Sequence, residues 1–444
     1  MNFRKAFQGI RQDREILVTI LRAFMVRGVA AFGTLLLNVV IARLLGVKGL
    51  GLFMLAFTVL VGLSTIARFG MENALLRFAG TAWGTGKAGR FRGVCLQAAW
   101  RVGLCSLVLA SGLYLFAPWV AKAVFSEPTM ASLLRIMALV LIPYTAMYIF
   151  STLLKATGWT AVAPLFENGG ISLLSACLVL LAYFMWQSMS VNAAGWILVT
   201  AAVMLSLISL ILTLLRTWTF IQRVEETSGE PELGGVAYTF LLTTMVTFAI
   251  QWSSSLILGG FGSAEDVGLF NAAQRTAFVI TFILMVFNGV LPPRIATLHS
   301  EGNHKELETM VLRSTLYMTV VAMPLAALFI FFPGQVLALF GSEFREAAPH
   351  LLLLSIAQFI NVCTGSVGVL LNMTGNEKIM RNLVFCVGGS GFLMAMALIP
   401  LLGIWGATIS LITAIVGQNL LAAWYVHVKL NIKVIPGWRL LVGK

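Results

Sequence analysis

Acidic side chains are scarce in this sequence. Asp and Glu number 17 in 444 residues, and Asp13 and Asp266 are its only aspartates. Within its long apolar stretches only Glu72 and Glu167 offer a carboxylate. An exporter that exchanges cationic drugs for protons or sodium ions needs membrane carboxylates, so this shortage argues against that class. Histidine is equally rare: His299, His304, His350 and His427 all fall at span ends or in loops. The five cysteines, Cys95, Cys105, Cys177, Cys363 and Cys386, form no CxxC pair and lie within or beside apolar runs, where they read as packing residues. No metal site or cofactor is expected. The chain has no P-loop, no GxSxG and no DxD, and no long loop on the expected outer side. These absences exclude an ATP-binding, hydrolytic or glycan-polymerising site, and no enzyme activity is expected. The N-terminal MNFRKAFQGIRQDRE is basic and amphipathic and lacks a small-residue cleavage site, so no signal peptide is expected.

What the chain has in abundance is apolar length. Hydrophobic residues make up 59% of it, mean hydropathy is +0.93, and only 11% of residues are charged. Apolar runs recur from end to end, the pattern of an all-α polytopic membrane protein. The net charge of +13 then reads as the basic ends of membrane spans, not as a nucleic-acid footprint.

An internal repeat organises the chain. Gly51-Leu52-Phe53 returns as Gly268-Leu269-Phe270, Arg77 as Arg294, and Thr157-Gly158 as Thr374-Gly375, each displaced by 217 residues. Two copies of one half, running in the same direction, are predicted. Transporters use such parallel repeats, with the substrate between the halves.

Twelve spans are predicted, at 17–44, 50–76, 93–117, 131–154, 161–186, 193–215, 237–260, 266–291, 311–332, 347–373, 382–401 and 404–428. The second span is expected to run as one helix to Arg77. With the N-terminus inside, twenty Lys and Arg fall in cytoplasmic segments against three, Lys48, Lys122 and Arg345, outside. This predicts cytoplasmic N- and C-termini. The polar stretch Thr217–Gly235 reads as a cytoplasmic linker between an N-terminal six-helix lobe, 1–216, and a C-terminal one, 236–444.

Polar groups inside spans are costly in hydrocarbon and mark a water-filled path. Arg27, Thr34 and Asn38 share one helical face of the first span, and Arg68 and Glu72 are spaced to pair on the second. The seventh and eighth spans carry Gln251, Asn271, Gln274 and Arg275, and the tenth carries Gln358, Asn361, Gly365 and Gly368. Arg27, Asn38, Arg68, Glu72, Gln251, Asn271, Gln274 and Arg275 are the candidate cavity residues. Such groups also serve as helix–helix hydrogen bonds, and the sequence is compatible with either role. The cationic balance within the spans favours an anionic substrate, and a pyrophosphate suits the forked geometry of Arg. Arg77 and Arg294 are expected at cytoplasmic span ends, where positive-inside anchoring accounts for them.

The stretches ARLLGVKGLGLF (Ala42–Phe53), FGMENALLRFAG (Phe69–Gly80) and KATG (Lys155–Gly158) resemble the polysaccharide transporter family of lipid-linked oligosaccharide flippases. This family belongs to the multidrug/oligosaccharidyl-lipid/polysaccharide exporter superfamily. The resemblance implies a two-lobed bundle with a central cavity, like that of the multidrug and toxic compound extrusion (MATE) proteins. It implies alternating access and a glycan carried on undecaprenyl pyrophosphate from the cytoplasmic to the outer leaflet of the inner membrane. Membrane lipids, a polysaccharide polymerase and chain-length machinery are the implied partners, with the protein a monomer and nucleic acid excluded. A MATE-type drug exporter, a lipid II flippase and a non-transporting subunit of a glycan assembly complex are the competing readings. Lipid II flippases usually have fourteen spans, against twelve here, and the few membrane carboxylates weaken the drug-exporter branch.

Overall fold

The computed structural model describes residues 3–160, 162–222 and 233–434. Within these ranges the side chains of 3–24, 27, 168, 233–240, 242, 243, 246, 247 and 250 lie outside the description. The described residues form helices and no strand. In order these are α1 (Phe3–Ala67), α2 (Met71–Gly84), α3 (Ala88–Ala123), α4 (Met130–Ala156), α5 (Asn168–Trp186), α6 (Val191–Ile221), α7 (Leu233–Phe261) and α8 (Ala264–Phe278). They continue with α9 (Phe282–Ser300), α10 (His304–Phe331), α11 (Pro333–Leu337), α12 (Ala348–Cys363), α13 (Val367–Met373), α14 (Glu377–Leu402) and α15 (Ile404–Leu430).

Ten helical segments among the described residues are long and apolar enough to cross a membrane. The first, Gly28–Ala67, has 40 residues and would be about 60 Å long if straight, twice the roughly 30 Å hydrocarbon core. It is not straight. Gly46 has φ 70° and ψ −173°, a conformation open to glycine and closed to helical residues. Two crossings result, one on each side of Gly46, with Arg43 and Lys48 exposed at the bend. The helix α7, 29 residues without a charged side chain, adds another. The large apolar residues of α3 and α6 turn outward: Trp100, Leu104, Leu115, Leu207, Leu215 and Trp218 are exposed. An outward apolar face of this extent belongs against lipid.

Two groups of helices pack into two lobes. In the first, α4 packs on α3 and α6, and α1 on α4 and α5. In the second, α12 packs on α10 and α15, and α14 on α7 and α15. They meet along α1 and α8, at the glycines that the repeat had matched. A Cβ built on Gly51 would lie 1.7 Å from the Ala264 carbonyl oxygen, and one on Gly268 2.2 Å from that of Val47. Ala264 stands 217 residues beyond Val47, and Gly268 stands 217 beyond Gly51. The contact is therefore isologous: each half offers the other the same residues, as a two-fold axis requires.

The structure corrects several sequence expectations. The second span stops at Ala67, and Arg77 lies inside the separate helix α2. The break is a turn in which Phe69 and Gly70 are left-handed, with φ 47° and 69°. Arg68 sits in that turn instead of on a continuous helix and closes it by pairing with Glu72. The eighth span is interrupted by a 3-10 turn at Val279–Thr281, and the tenth is broken at Thr364–Ser366 by Gly365, φ 72°. The fifth begins only at Asn168, after a 3-10 turn at Ala163–Phe166. The helix α6 continues to Ile221, into the expected linker, whose residues 223–232 lie outside the description.

Candidate substrate cavity

The helices of the second lobe enclose a cavity of about 370 Å³. This lies within the range of roughly 300–1,000 Å³ common for small-molecule sites. Gln251 and Trp252 reach it from α7, Gln274 and Arg275 from α8, and Asn288 from α9. Gln358 and Asn361 come from α12, and Gln418 and Asn419 from α15. Gly365 and Ser366, in the break between α12 and α13, complete the polar wall. The break in the tenth span thus has a structural consequence: it puts backbone and a hydroxyl where a continuous helix would present another side chain. Among the described lining residues none is acidic, and Arg275 is the only charged one.

The Arg275 guanidinium lies 4.4 Å from the centre of the Trp252 ring. Such a cation–π contact contributes about 0.5–2 kcal/mol. Its Nε has no hydrogen-bond partner, and neither have Oδ1 of Asn288 nor Oγ of Ser366. Each such buried group without a partner costs about 1–3 kcal/mol. Three of them on one cavity wall describe a surface made to meet water or a ligand. Asn361 donates to Oε1 of Gln358 at 3.3 Å, which orders that pair of amides.

Of the eight cavity candidates from the sequence, Gln251, Gln274 and Arg275 line this cavity. Asn271 is fully buried beside it and does not line it; its amide donates to the carbonyl of Val267 at 2.9 Å. Asn38 is likewise buried, donating to the Thr34 carbonyl at 2.7 Å, and stands away from the lining. In both, the amide donates to the carbonyl one turn earlier in its own helix, and that of Asn271 also to the Ser255 hydroxyl of α7 at 3.4 Å. The side chain of Arg27 lies outside the described residues. Arg68 and Glu72 also leave the cavity wall. Arg68 is buried, donates to the Ser64 carbonyl and the Thr65 hydroxyl at 3.1 Å each, pairs with Glu72 and stacks 4.1 Å from the Tyr148 ring centre. Its charge is spent within the first lobe. Glu167 is paired with Lys155 and accepts from the Ser151 hydroxyl at 3.1 Å. Both carboxylates at membrane depth therefore already hold a cation.

Sequence reasoning passed over Asn288, Ser366, Gln418 and Asn419. A signal existed: Gln418-Asn419 and Asn288 are amides inside otherwise apolar spans.

Arg77 and Arg294 are exposed, and Arg77 lies 5.4 Å from the Phe78 ring centre. Neither makes an ion pair among the described residues. Arg77→Lys and Arg294→Lys should each leave transport within about twofold of the parent, because an exposed basic residue that only favours the basic side of the membrane needs only charge. Transport lost at normal protein level would show that their guanidinium groups touch the cargo. At the Gly46 bend, Arg43 crosses between the lobes, its Nε donating to the Leu339 carbonyl at 2.7 Å and its Nη2 to that of Ala338 at 3.2 Å.

Two lobes with like helices, a pseudo-two-fold contact and a polar pocket within a lipid-facing bundle define a multi-pass membrane transporter. The chain belongs to the family described as polysaccharide biosynthesis protein, whose model matches residues 16–299, and so to the multidrug/oligosaccharidyl-lipid/polysaccharide exporter superfamily. A second model, MatE, matches residues 236–396. Stage V sporulation protein B of Bacillus subtilis is 24% identical over 440 residues, 90% of this chain and 80% of that protein. An uncharacterized membrane protein of Methanocaldococcus jannaschii is 27% identical over 192 residues, 40% of this chain and only 37% of its own length. Among solved structures, an inward-facing MATE family multidrug transporter superposes with TM-score 0.72 at 15% identity, covering 93% of this chain and 98% of that one. The lipid II flippase MurJ in an inward closed conformation superposes with TM-score 0.68 at 13% identity, over 92% of this chain and 87% of that one.

Proposed function

We propose that the protein flips an undecaprenyl-pyrophosphate-linked oligosaccharide from the cytoplasmic to the outer leaflet of the inner membrane by alternating access, for surface or exopolysaccharide assembly. The observation that carries this reading is Arg275, the one cation among the described residues that line the cavity. Arg275 faces a wall rich in amides and free of carboxylates, and its Nε awaits an acceptor. A pyrophosphate oxygen is such an acceptor, and charge-assisted bonds to phosphate are among the strong ones. Family membership supports the polysaccharide pathway. The lipid tails trail through the gap between the lobes, and polymerase and chain-length proteins receive the product outside. A monomer suffices, since the pseudo-two-fold axis lies within one chain.

A drug exporter of the MATE type has one observation in its favour, the MatE match over 236–396. The cavity opposes it. An organic cation would meet Arg275 and no carboxylate, an arrangement in which like charges repel.

Transport is measured in proteoliposomes carrying a fluorescent lipid-linked oligosaccharide, with a membrane-impermeant reagent reading the exposed leaflet. Protein-dependent appearance of the glycan in the opposite leaflet is the expected result. Efflux of a cationic dye with no movement of the glycan would establish the exporter reading instead. Orientation is tested separately. A reporter fused after Lys444 should be active in the cytoplasm, as the Lys and Arg distribution requires; activity only outside would invert the whole scheme.

A further inference from the structure

We infer that the C-terminal cavity is a sugar-phosphate site without a counterpart among the described residues of the N-terminal lobe, because that lobe fills the equivalent positions with its own side chains. This deepens the flippase reading and rests on it for the identity of the cargo.

A repeat register of 217 residues relates the two lobes, and the Gly51–Gly268 contact anchors it in three dimensions. It holds in the fourth helix of each lobe too. His350, Leu351, Leu354 and Ala357 are buried, and so are Leu133, Leu134, Met137 and Val140, 217 positions earlier. In this register Gln274 of the cavity corresponds to Phe57, and Arg275 to Thr58. Gln358 corresponds to Leu141, Asn361 to Tyr144, and Gly365 to Tyr148.

The two sets behave oppositely. Leu141 and Tyr144 are fully buried, and Thr58 is closed on the Met54 carbonyl at 2.7 Å. Phe57 meets Tyr144 edge to face at 6.2 Å, and Tyr144 packs on Tyr148 at 5.3 Å. Arg68 caps this aromatic column. Where the first lobe has this column, the second has a glycine and amides around open volume. An ancestral pocket duplicated with the fold would be two-fold symmetric; here the side chains have closed one copy. The closed copy also touches the open one, since Phe57 lies 6.3 Å from Trp252, the ring that carries Arg275.

The chemistry of the open copy names its ligand class. An amide presents a donor and an acceptor side by side, which matches neighbouring hydroxyls of a sugar ring. One guanidinium without a carboxylate matches a phosphate on that ring and repels a cationic sugar. The ligand is therefore an uncharged hexose or acetamido-hexose bearing phosphate, the part of a lipid-linked glycan nearest its lipid.

The test uses the full chain in lipid nanodiscs, free of sugar-based detergent. Binding of glucose 1-phosphate, galactose 1-phosphate and N-acetylglucosamine 1-phosphate is compared with that of inorganic phosphate. At least one sugar phosphate should bind ten-fold or more tightly than inorganic phosphate. Asn361→Tyr, which copies the first lobe, should remove that difference, and the reciprocal Tyr144→Asn should leave it. Gln358→Leu, which copies Leu141 at nearly constant volume, should weaken sugar-phosphate binding at least five-fold at unchanged thermal midpoint, and serves where Asn361→Tyr does not fold. Equal binding of inorganic phosphate and every sugar phosphate would overturn the proposal, as would loss of binding in Tyr144→Asn. Sugar-phosphate binding without glycan flipping would refute the transport reading alone. Glycan flipping undiminished in Asn361→Tyr would refute the one-sided site alone.

Discussion

Glycan flipping should fall at least tenfold when Arg275 is replaced by alanine, while the protein reaches the membrane in normal amount. Arg275 is the one cation among the described residues of the cavity wall, and its Nε has no hydrogen-bond partner. Hydrogen bonds to charged groups contribute about 1.5–3 kcal/mol, and every 1.4 kcal/mol is tenfold in affinity, so one lost phosphate contact predicts a loss of about ten- to a hundredfold. Folding should not suffer in parallel. The side chain makes a stacking contact with Trp252 worth at most about 2 kcal/mol, and its removal also relieves a buried unpaired donor. Arg275→Lys separates charge from shape: it keeps the cation, loses the fork, and should recover only part of the rate. Full flipping by Arg275→Ala would eliminate the cationic-cavity mechanism. The distinction from Arg68 sharpens the test. Arg68→Ala would strand Glu72 and unclamp the turn after Ala67, so it should lower the amount of folded protein and not transport alone.

Gly51→Ala should be strongly damaging to the contact between the lobes. A methyl there would stand 1.7 Å from the Ala264 carbonyl oxygen and 2.7 Å from its carbon. Both are backbone atoms, so no side chain can swing aside, and α1 and α8 must separate. Overpacking of a core costs about 1–3 kcal/mol even where side chains adjust; two rigid helices put this case at the upper end or beyond. Gly268→Ala strikes the symmetric contact, 2.2 Å from the Val47 carbonyl, and should have the same effect. The control is Gly103→Ala in α3, where nothing lies within 4 Å. Alanine is the better helix former by about 1 kcal/mol, so that variant should be neutral or slightly stabilised. Thermal unfolding followed by size-exclusion chromatography reads all three. Equal midpoints for Gly51→Ala and Gly103→Ala would mean that the lobes do not meet at these glycines.

The consequences for mechanism lie in the asymmetry of the halves. Alternating access needs two lobes that rock against each other, and the Gly51–Gly268 contact gives them a common line of approach. Arg43 ties the lobes at the Gly46 end by hydrogen bonds to the carbonyls of Ala338 and Leu339. Those bonds must break for that end to open. Under the proposed one-sided site, the head group would ride with that lobe while the other, filled by Phe57, Tyr144 and Tyr148, would act as the counter-wall.

The sequence by itself determined the membrane-spanning character, the span positions to within a few residues in most cases, and the 217-residue repeat. These are properties of local hydropathy and of residue identity, and a helix in lipid satisfies its backbone whatever surrounds it. Gln251, Gln274 and Arg275, polar residues read from the span sequences, are among the residues that line the cavity. Only the tertiary structure decided what became of the others. Asn38 and Asn271 sit on polar helical faces yet are buried among helices, Asn38 closing on its own backbone and Asn271 on its own backbone and the Ser255 hydroxyl of α7. Arg68 and Glu72 are spaced for a helical pair, yet they clamp a turn, because left-handed Phe69 and Gly70 end the helix at Ala67. The helical repeat sets the spacing of side chains around an axis, but the rotation of that axis toward lipid, neighbour or cavity is set by packing against other helices. For that reason the repeat could announce two equivalent halves, and only the packed side chains could leave one of them hollow.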